Sequence, residues 1–135
     1  MLFRSVRSVF SSCDSIDDAS KEELTAAILS IHAFHDQNRF TKGGVANMPT
    51  VFWNENDNDI AFVKRTLKYL IYGGGEFAER LHDVLYDPAF RIKSFGLSSA
   101  LELYGTIKPA DYPPVNGRIA KALRYLGFDV SGGMS

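Results

Sequence analysis

The chain is poor in the residues that build covalent or metal-bound sites. Cys13 is the only cysteine among 135 residues, so no disulfide can form within it and a reducing intracellular compartment is the default expectation. Histidine is nearly as scarce, at three residues. His32, His35 and Asp36 fall on one helical face by their spacing, but zinc asks for further ligands and only His82 is left. The expectation is therefore a polar helix edge and no metal. No apolar run reaches the roughly 20 residues that span a bilayer, so no membrane partner is expected. Lys42-Gly43-Gly44 lacks the spacing and the preceding strand of a phosphate-binding loop. The oxygen-rich run Asn54-Glu55-Asn56-Asp57-Asn58-Asp59 lacks the glycine and glutamate that a calcium-binding EF-hand loop places at its sixth and twelfth positions. No cofactor is read from these segments. Net charge is −1, so no overall basic field advertises a polyanionic partner.

What is present is apolar and aromatic material: 45% hydrophobic residues, including ten Phe and six Tyr, enough for one packed core in a chain of this length. Segment 1–19 reads as an amphipathic stretch and linker, 20–130 as the helical domain and 131–135 as a tail. The first thirteen residues carry two arginines, several serines and no acid, a composition shared with organellar transit peptides. They also fit a short helix with Phe3, Val6, Val9 and Phe10 on one side, and residues 14–20 read as an acidic linker. Ser20 and Glu23 have capping-box spacing and open a helix of about fifteen residues carrying Leu24, Ala27, Ile28 and Ile31. Thr50-Val51-Phe52-Trp53 is the one stretch that reads as a strand. Asn58 or Asp59 is placed to cap the next helix, whose stripe Ile60, Val63, Leu67, Leu70 and Ile71 faces inward with Lys64, Arg65 and Lys68 opposite. Gly73-Gly74-Gly75 ends it, residues 76–86 resume as a helix, and Asp87-Pro88 stops that one. Two further helices are expected, at about 97–104 and from Asn116, the latter carrying Val115, Ile119, Ala122, Leu123 and Leu126 at helical spacing. The expected fold is all-α, a single-domain bundle of about five helices.

The most informative stretch is Ile92-Lys93-Ser94-Phe95-Gly96-Leu97-Ser98-Ser99-Ala100, followed after sixteen residues by Asn116 within Pro113-Pro114-Val115-Asn116-Gly117-Arg118. It resembles the helix-hairpin-helix turn of the DNA glycosylase superfamily, whose pattern is apolar-x-Gly-apolar-Gly-x-x-x-Ala with a catalytic aspartate opening the next helix. The resemblance implies a helix-hairpin-helix-like turn whose backbone N–H groups, backed by a helix N-terminus, meet nucleic-acid phosphates and so position rather than specify. It also implies an absence of base-excision chemistry. Ser98 stands where bifunctional members keep a lysine nucleophile and cannot form a Schiff base, and Asn116 stands where the family keeps its aspartate. Ser94 replaces the first hairpin glycine, at a position where positive φ is costly for a serine. Charge agrees in sign: between residues 88 and 127 six cations, Arg91, Lys93, Lys108, Arg118, Lys121 and Arg124, face two acids, Glu102 and Asp111. The expected nucleic-acid-binding residues are Phe95, Gly96, Ser98, Ser99, Asn116, Arg118 and Lys121, with no catalytic residue. The expected function is a non-catalytic DNA-binding or DNA-associated module. Two other readings stay open: a protein-interaction or accessory subunit, in which Asn116 is only a helix cap, and a small enzyme built around Asn116, Tyr112 and a histidine.

Overall fold

The structure is a computed structural model, described over residues 6–110. Eight α-helices fill the described residues: Val6–Val9 (α1), Cys13–Asp18 (α2), Lys21–Leu29 (α3), His32–Asn38 (α4), Met48–Glu55 (α5), Ile60–Tyr72 (α6), Phe77–Tyr86 (α7) and Leu97–Ile107 (α8), with a 3₁₀ turn at Val45–Asn47. No strand occurs among them, and the protein is all-α. The count exceeds the five expected, because segments read as linker, strand and a single long helix each resolve differently.

Helix α6 is the axis of the bundle. Asp59 caps it by accepting from the Phe62 N–H at 3.0 Å. Its Val63, Leu67, Leu70 and Ile71 are buried, while α2, α7 and α8 pack around it. Each such side chain contributes roughly 1.5–3 kcal/mol of transfer free energy. The face carrying Lys64 and Lys68, read as opposite the apolar stripe, meets α2. Lys64 Nζ donates to the carbonyl oxygens of Asp17 at 2.8 Å and Ala19 at 2.6 Å, and Lys68 pairs with Asp17 at 2.7 Å. Cations there satisfy the carbonyl end of α2, as the helix dipole favours.

Residues 14–20 are therefore not a linker over most of their length. Ser12 caps α2 through the Ser15 N–H at 3.0 Å, and Val9, Phe10 and Ile16 are wholly buried in the common core. The Tyr72 hydroxyl donates to the Phe10 carbonyl at 2.5 Å, tying α1 to the end of α6. The expected strand 50–53 is also overturned, since these residues lie inside α5. Pro49 sits in the first turn, where its missing N–H costs nothing, and burial of Phe52 and Trp53 on the core outweighs their strand preference.

The long helix expected from Ser20 starts as read, with both halves of the capping box formed, but breaks at Ser30 and Ile31. Ile31 is extended (φ −69°, ψ 118°) and offers α4 no side-chain cap. The cap comes instead from α8, where the Glu102 carboxylate accepts from the backbone N–H groups of His32 at 2.7 Å and Ala33 at 3.0 Å. An acid at a helix N-terminus is stabilising through both its hydrogen bonds and the dipole.

Between α6 and α7 the triglycine turn wraps one buried arginine. Gly73 closes α6 with its N–H on the Tyr69 carbonyl at 2.9 Å, and Gly75 takes φ +79°. Arg80 is buried, and it donates from Nε to the Leu70 carbonyl at 3.2 Å and from Nη1 to the Gly75 carbonyl at 2.7 Å. The Tyr69 hydroxyl reaches Asp83 at 2.5 Å across the same joint. That bond, with desolvation added, pushes the Tyr69 pKa from 10.0 up to about 12.

Candidate functional site

Residues 87–96 join α7 to α8, and their path is set by anchors at both ends. Asp87 starts the turn, its carbonyl accepting from the N–H groups of Phe90 and Arg91 at 2.8 and 2.9 Å and its carboxylate from Ala89 at 2.9 Å. Phe90 stacks on Tyr69 with centroids 4.3 Å apart. Arg65 lies over the same ring at 4.8 Å and donates to the Ala89 carbonyl. Ile92 and Phe95 then plug the core from the turn, Phe95 packing against Phe34 at 6.3 Å.

The intervening residue is conformationally costly. Ser94 has φ +69°, a left-handed backbone that disfavours a side chain by about 1–2 kcal/mol. Three polar side chains from two other helices hold it there. Asn56, buried at the end of α5, accepts from the Lys93 N–H at 2.8 Å and donates to the Lys93 carbonyl at 3.1 Å. Asn38 of α4 donates to the Ser94 carbonyl at 3.2 Å, and the Ser94 hydroxyl donates to Glu55 at 2.5 Å. The turn is over-determined by its neighbours, which is the condition under which such strain persists.

Downstream, Gly96 is the N-cap of α8 in extended conformation and brings no side chain to cap it. The start of α8 opens onto a groove of about 320 Å³ lined by Gln37, Asn38, Tyr86, Arg91, Ser94 and Gly96. Four exposed cations lie on the two segments that supply its lining, Arg91 among the lining residues themselves. Arg91 and Lys93 belong to the turn, while Arg39 and Lys42 lie on the loop after α4, whose Thr41 shares a small cavity with Ser94. Among the described residues none of the four is in an ion pair. Arg39 lies over the Phe40 ring at 4.6 Å. The neighbouring acid Glu55 is engaged by Ser94, and Asp87 by the turn it starts.

The expected binding residues divide into three groups. Gly96 and Ser98 lie at the groove-side start of α8 and are partly exposed. Phe95, at 3% exposure, and Ser99, at 0%, are core residues. The Ser99 hydroxyl has no hydrogen-bond partner and cannot reach a ligand outside, so its expected role as a hydroxyl donor is corrected, and the Phe95 N–H donates to the Ile92 carbonyl at 3.3 Å. Ser99 shares the inward face of α8 with Leu103, four residues on, while Phe95 is turned inward by the turn that precedes the helix. Asn116, Arg118 and Lys121 lie outside the described residues. Arg91 entered the sequence reading only as part of a charge imbalance, Asn56 only within an oxygen-rich run, and Gln37 and Tyr86 with no site role. No local pattern marks an asparagine that clamps a turn 37 residues later.

A second groove of about 520 Å³ runs between α3 and α5, lined by Lys21, Thr25, Leu29, Pro49, Trp53 and Asn58. Four of its polar side chains are committed to one another. The Trp53 indole N–H donates to Thr25 at 2.7 Å, and Lys21 donates to Asn58 at 3.2 Å while lying over the Trp53 ring at 5.3 Å. Among the described residues no cluster of three or more His, Cys, Asp or Glu is placed to hold a metal ion, and no helix is long and apolar enough to cross a membrane. Comparison with protein families, curated proteins and solved structures finds no match to this chain.

Proposed function

We propose that this chain is a non-catalytic module that binds the phosphate backbone of nucleic acid through the turn at residues 91–98. The observation that carries the reading is the set of four exposed cations without ion-pair partners among the described residues, gathered around a turn that other helices hold in a costly conformation. A fixed turn spares a ligand the cost of ordering it, and phosphate oxygens are the acceptors that guanidinium, ammonium and the N–H groups of a helix start share. Gly96 is retained from the expected set as the residue that keeps side-chain bulk away from that helix start, with Ser98 beside it. Phe95 and Ser99 act from the core. Arg118, Lys121 and Asn116 extend the proposed contact set beyond the described residues. No base-excision step is included, because Ser98 and Asn116 stand where the resembled family keeps lysine and aspartate.

The test is a salt titration of binding to oligonucleotides. Each neutralised phosphate contributes about 0.7 to 0.9 to the slope of log affinity against log salt, so Arg91→Ala with Lys93→Ala should flatten it by roughly 1.4 to 1.8 units for every sequence tried. An unchanged slope would remove these residues from the interface, and no binding at low salt would remove the function. The α3–α5 groove favours the protein-interaction reading, since its walls are mostly apolar. In that case Leu29→Lys would abolish partner binding and leave oligonucleotide binding alone.

A further inference from the structure

Two large aromatic rings are exposed on the segments that supply the groove. Phe40 is 79% exposed and Tyr86 57%. Single exposed apolar residues are ordinary; the position of this pair is what matters. Tyr86 lines the groove together with Arg91. Phe40 sits between Arg39 and Thr41, on the loop that follows the Asn38 clamp on Ser94. Arg39 lies over the Phe40 ring at 4.6 Å, and the tilted ring of His82 lies against Tyr86 at 5.0 Å. Exposed cations beside exposed aromatics are what a strand with bases and phosphates both exposed requires.

The geometry points to single-stranded nucleic acid as the ligand of this surface. Phe40 and Tyr86 stack on bases while Arg39, Lys42, Arg91 and Lys93 follow the phosphates. This inference rests on the phosphate-binding reading above and goes beyond it. A duplex keeps its base faces inside, so a projecting ring meets one only by wedging between steps and kinking the helix. A single strand presents a π face at every nucleotide. Stacking of this kind tolerates any sequence, and a groove of about 320 Å³ beside Tyr86 has room for a nucleobase.

The experiment uses the full chain and fluorescence anisotropy with three labelled probes: an oligothymidine within the roughly 4 to 16 nucleotides of such sites, a duplex of the same length, and an abasic strand of the same length and charge. Oligothymidine should bind about tenfold or more tighter than the abasic strand, and Phe40→Ala and Tyr86→Ala should each weaken oligothymidine binding roughly fivefold or more, as loss of one stacking contact does. The abasic strand should not distinguish the variants from the parent, and Phe40→Trp should restore affinity. Both side chains are exposed, so melting temperatures should stay unchanged. Equal affinity for oligothymidine and the abasic strand, or tighter binding of the duplex, overturns the single-strand inference while leaving phosphate binding standing. Failure to bind any of the three probes overturns both.

Discussion

The two connections on either side of α7 solve the same geometric problem in opposite ways. Before α7, the left-handed residue is Gly75, where positive φ costs little, and one arginine from α7 itself satisfies the carbonyls. After α7, the left-handed residue is Ser94, and Asn38, Glu55 and Asn56 are recruited from α4 and α5 to hold it. The first turn is local and inexpensive. The second spends side chains from distant parts of the chain on a conformation that glycine would have supplied more cheaply. The difference teaches that the second turn is fixed in position relative to α4 and α5, where the first only reverses the chain.

Loss of each turn's central clamp gives the sharpest contrast. Arg80→Leu keeps the bulk but strips the charged donor from the Leu70 and Gly75 carbonyls, and should destabilise by about 2–3 kcal/mol in denaturant unfolding without altering oligonucleotide affinity relative to phosphate-poor controls. Asn56→Ala should cost somewhat less, about 2 kcal/mol, but should also weaken oligonucleotide binding measured well below its melting temperature. If Arg80→Leu weakens binding as much as Asn56→Ala does, the proposed division between a purely structural turn and a positioned one disappears.

Exchanging the residues at the two left-handed positions is a smaller perturbation. Gly75→Ala should cost about 1 kcal/mol for its positive φ, whereas Ser94→Gly relieves strain while losing the Glu55 bond, and should fall within about 0.5 kcal/mol of the parent. A large loss at Ser94→Gly would show that the hydroxyl, rather than the backbone, carries the turn. The smallest effect is at alkaline pH. Tyr69 has its pKa raised from 10.0 to about 12 by its bond to Asp83, so the neutral phenol is favoured in the fold. That contribution is fully present below pH 10 and declines as pH rises toward 12. Tyr69→Phe should remove the decline. Parallel losses in parent and variant, measured by unfolding across that range, would show that the Tyr69–Asp83 bond is not responsible.

The fold was legible wherever one element buries its own stripe. The helix at 60–72 was readable to within a residue because Val63, Leu67, Leu70 and Ile71 repeat at helical spacing and Asp59 and Gly73 punctuate it. Residues 13–18 and 48–55 were misread because their helical state depends on what they pack against. Thr50-Val51-Phe52-Trp53 has strand-like composition, and only the core beneath Phe52 and Trp53 decides otherwise. The site was half legible for the same reason. The pattern around Gly96 located the turn and drew attention to Ser94, but its neighbours Asn38, Glu55, Asn56 and Gln37 arrive through tertiary folding, and Phe95 is turned inward by a turn whose path they set.

The Glu102 cap on α4 has a consequence for the order in which the protein can be made. Helix α4 is short, its own N-cap is an isoleucine, and helices of this length are marginal without outside support. The carboxylate that completes its first turn lies 70 residues further along the chain. During synthesis, where N-terminal parts emerge first at about 5–20 residues per second, α3 brings its own capping box and depends on no later residue for its first turn. Helix α4 has to wait for α8. Since α4 carries Gln37 and Asn38, the groove and the grip on Ser94 come together only after Glu102 has been added, so the candidate binding surface cannot precede α8.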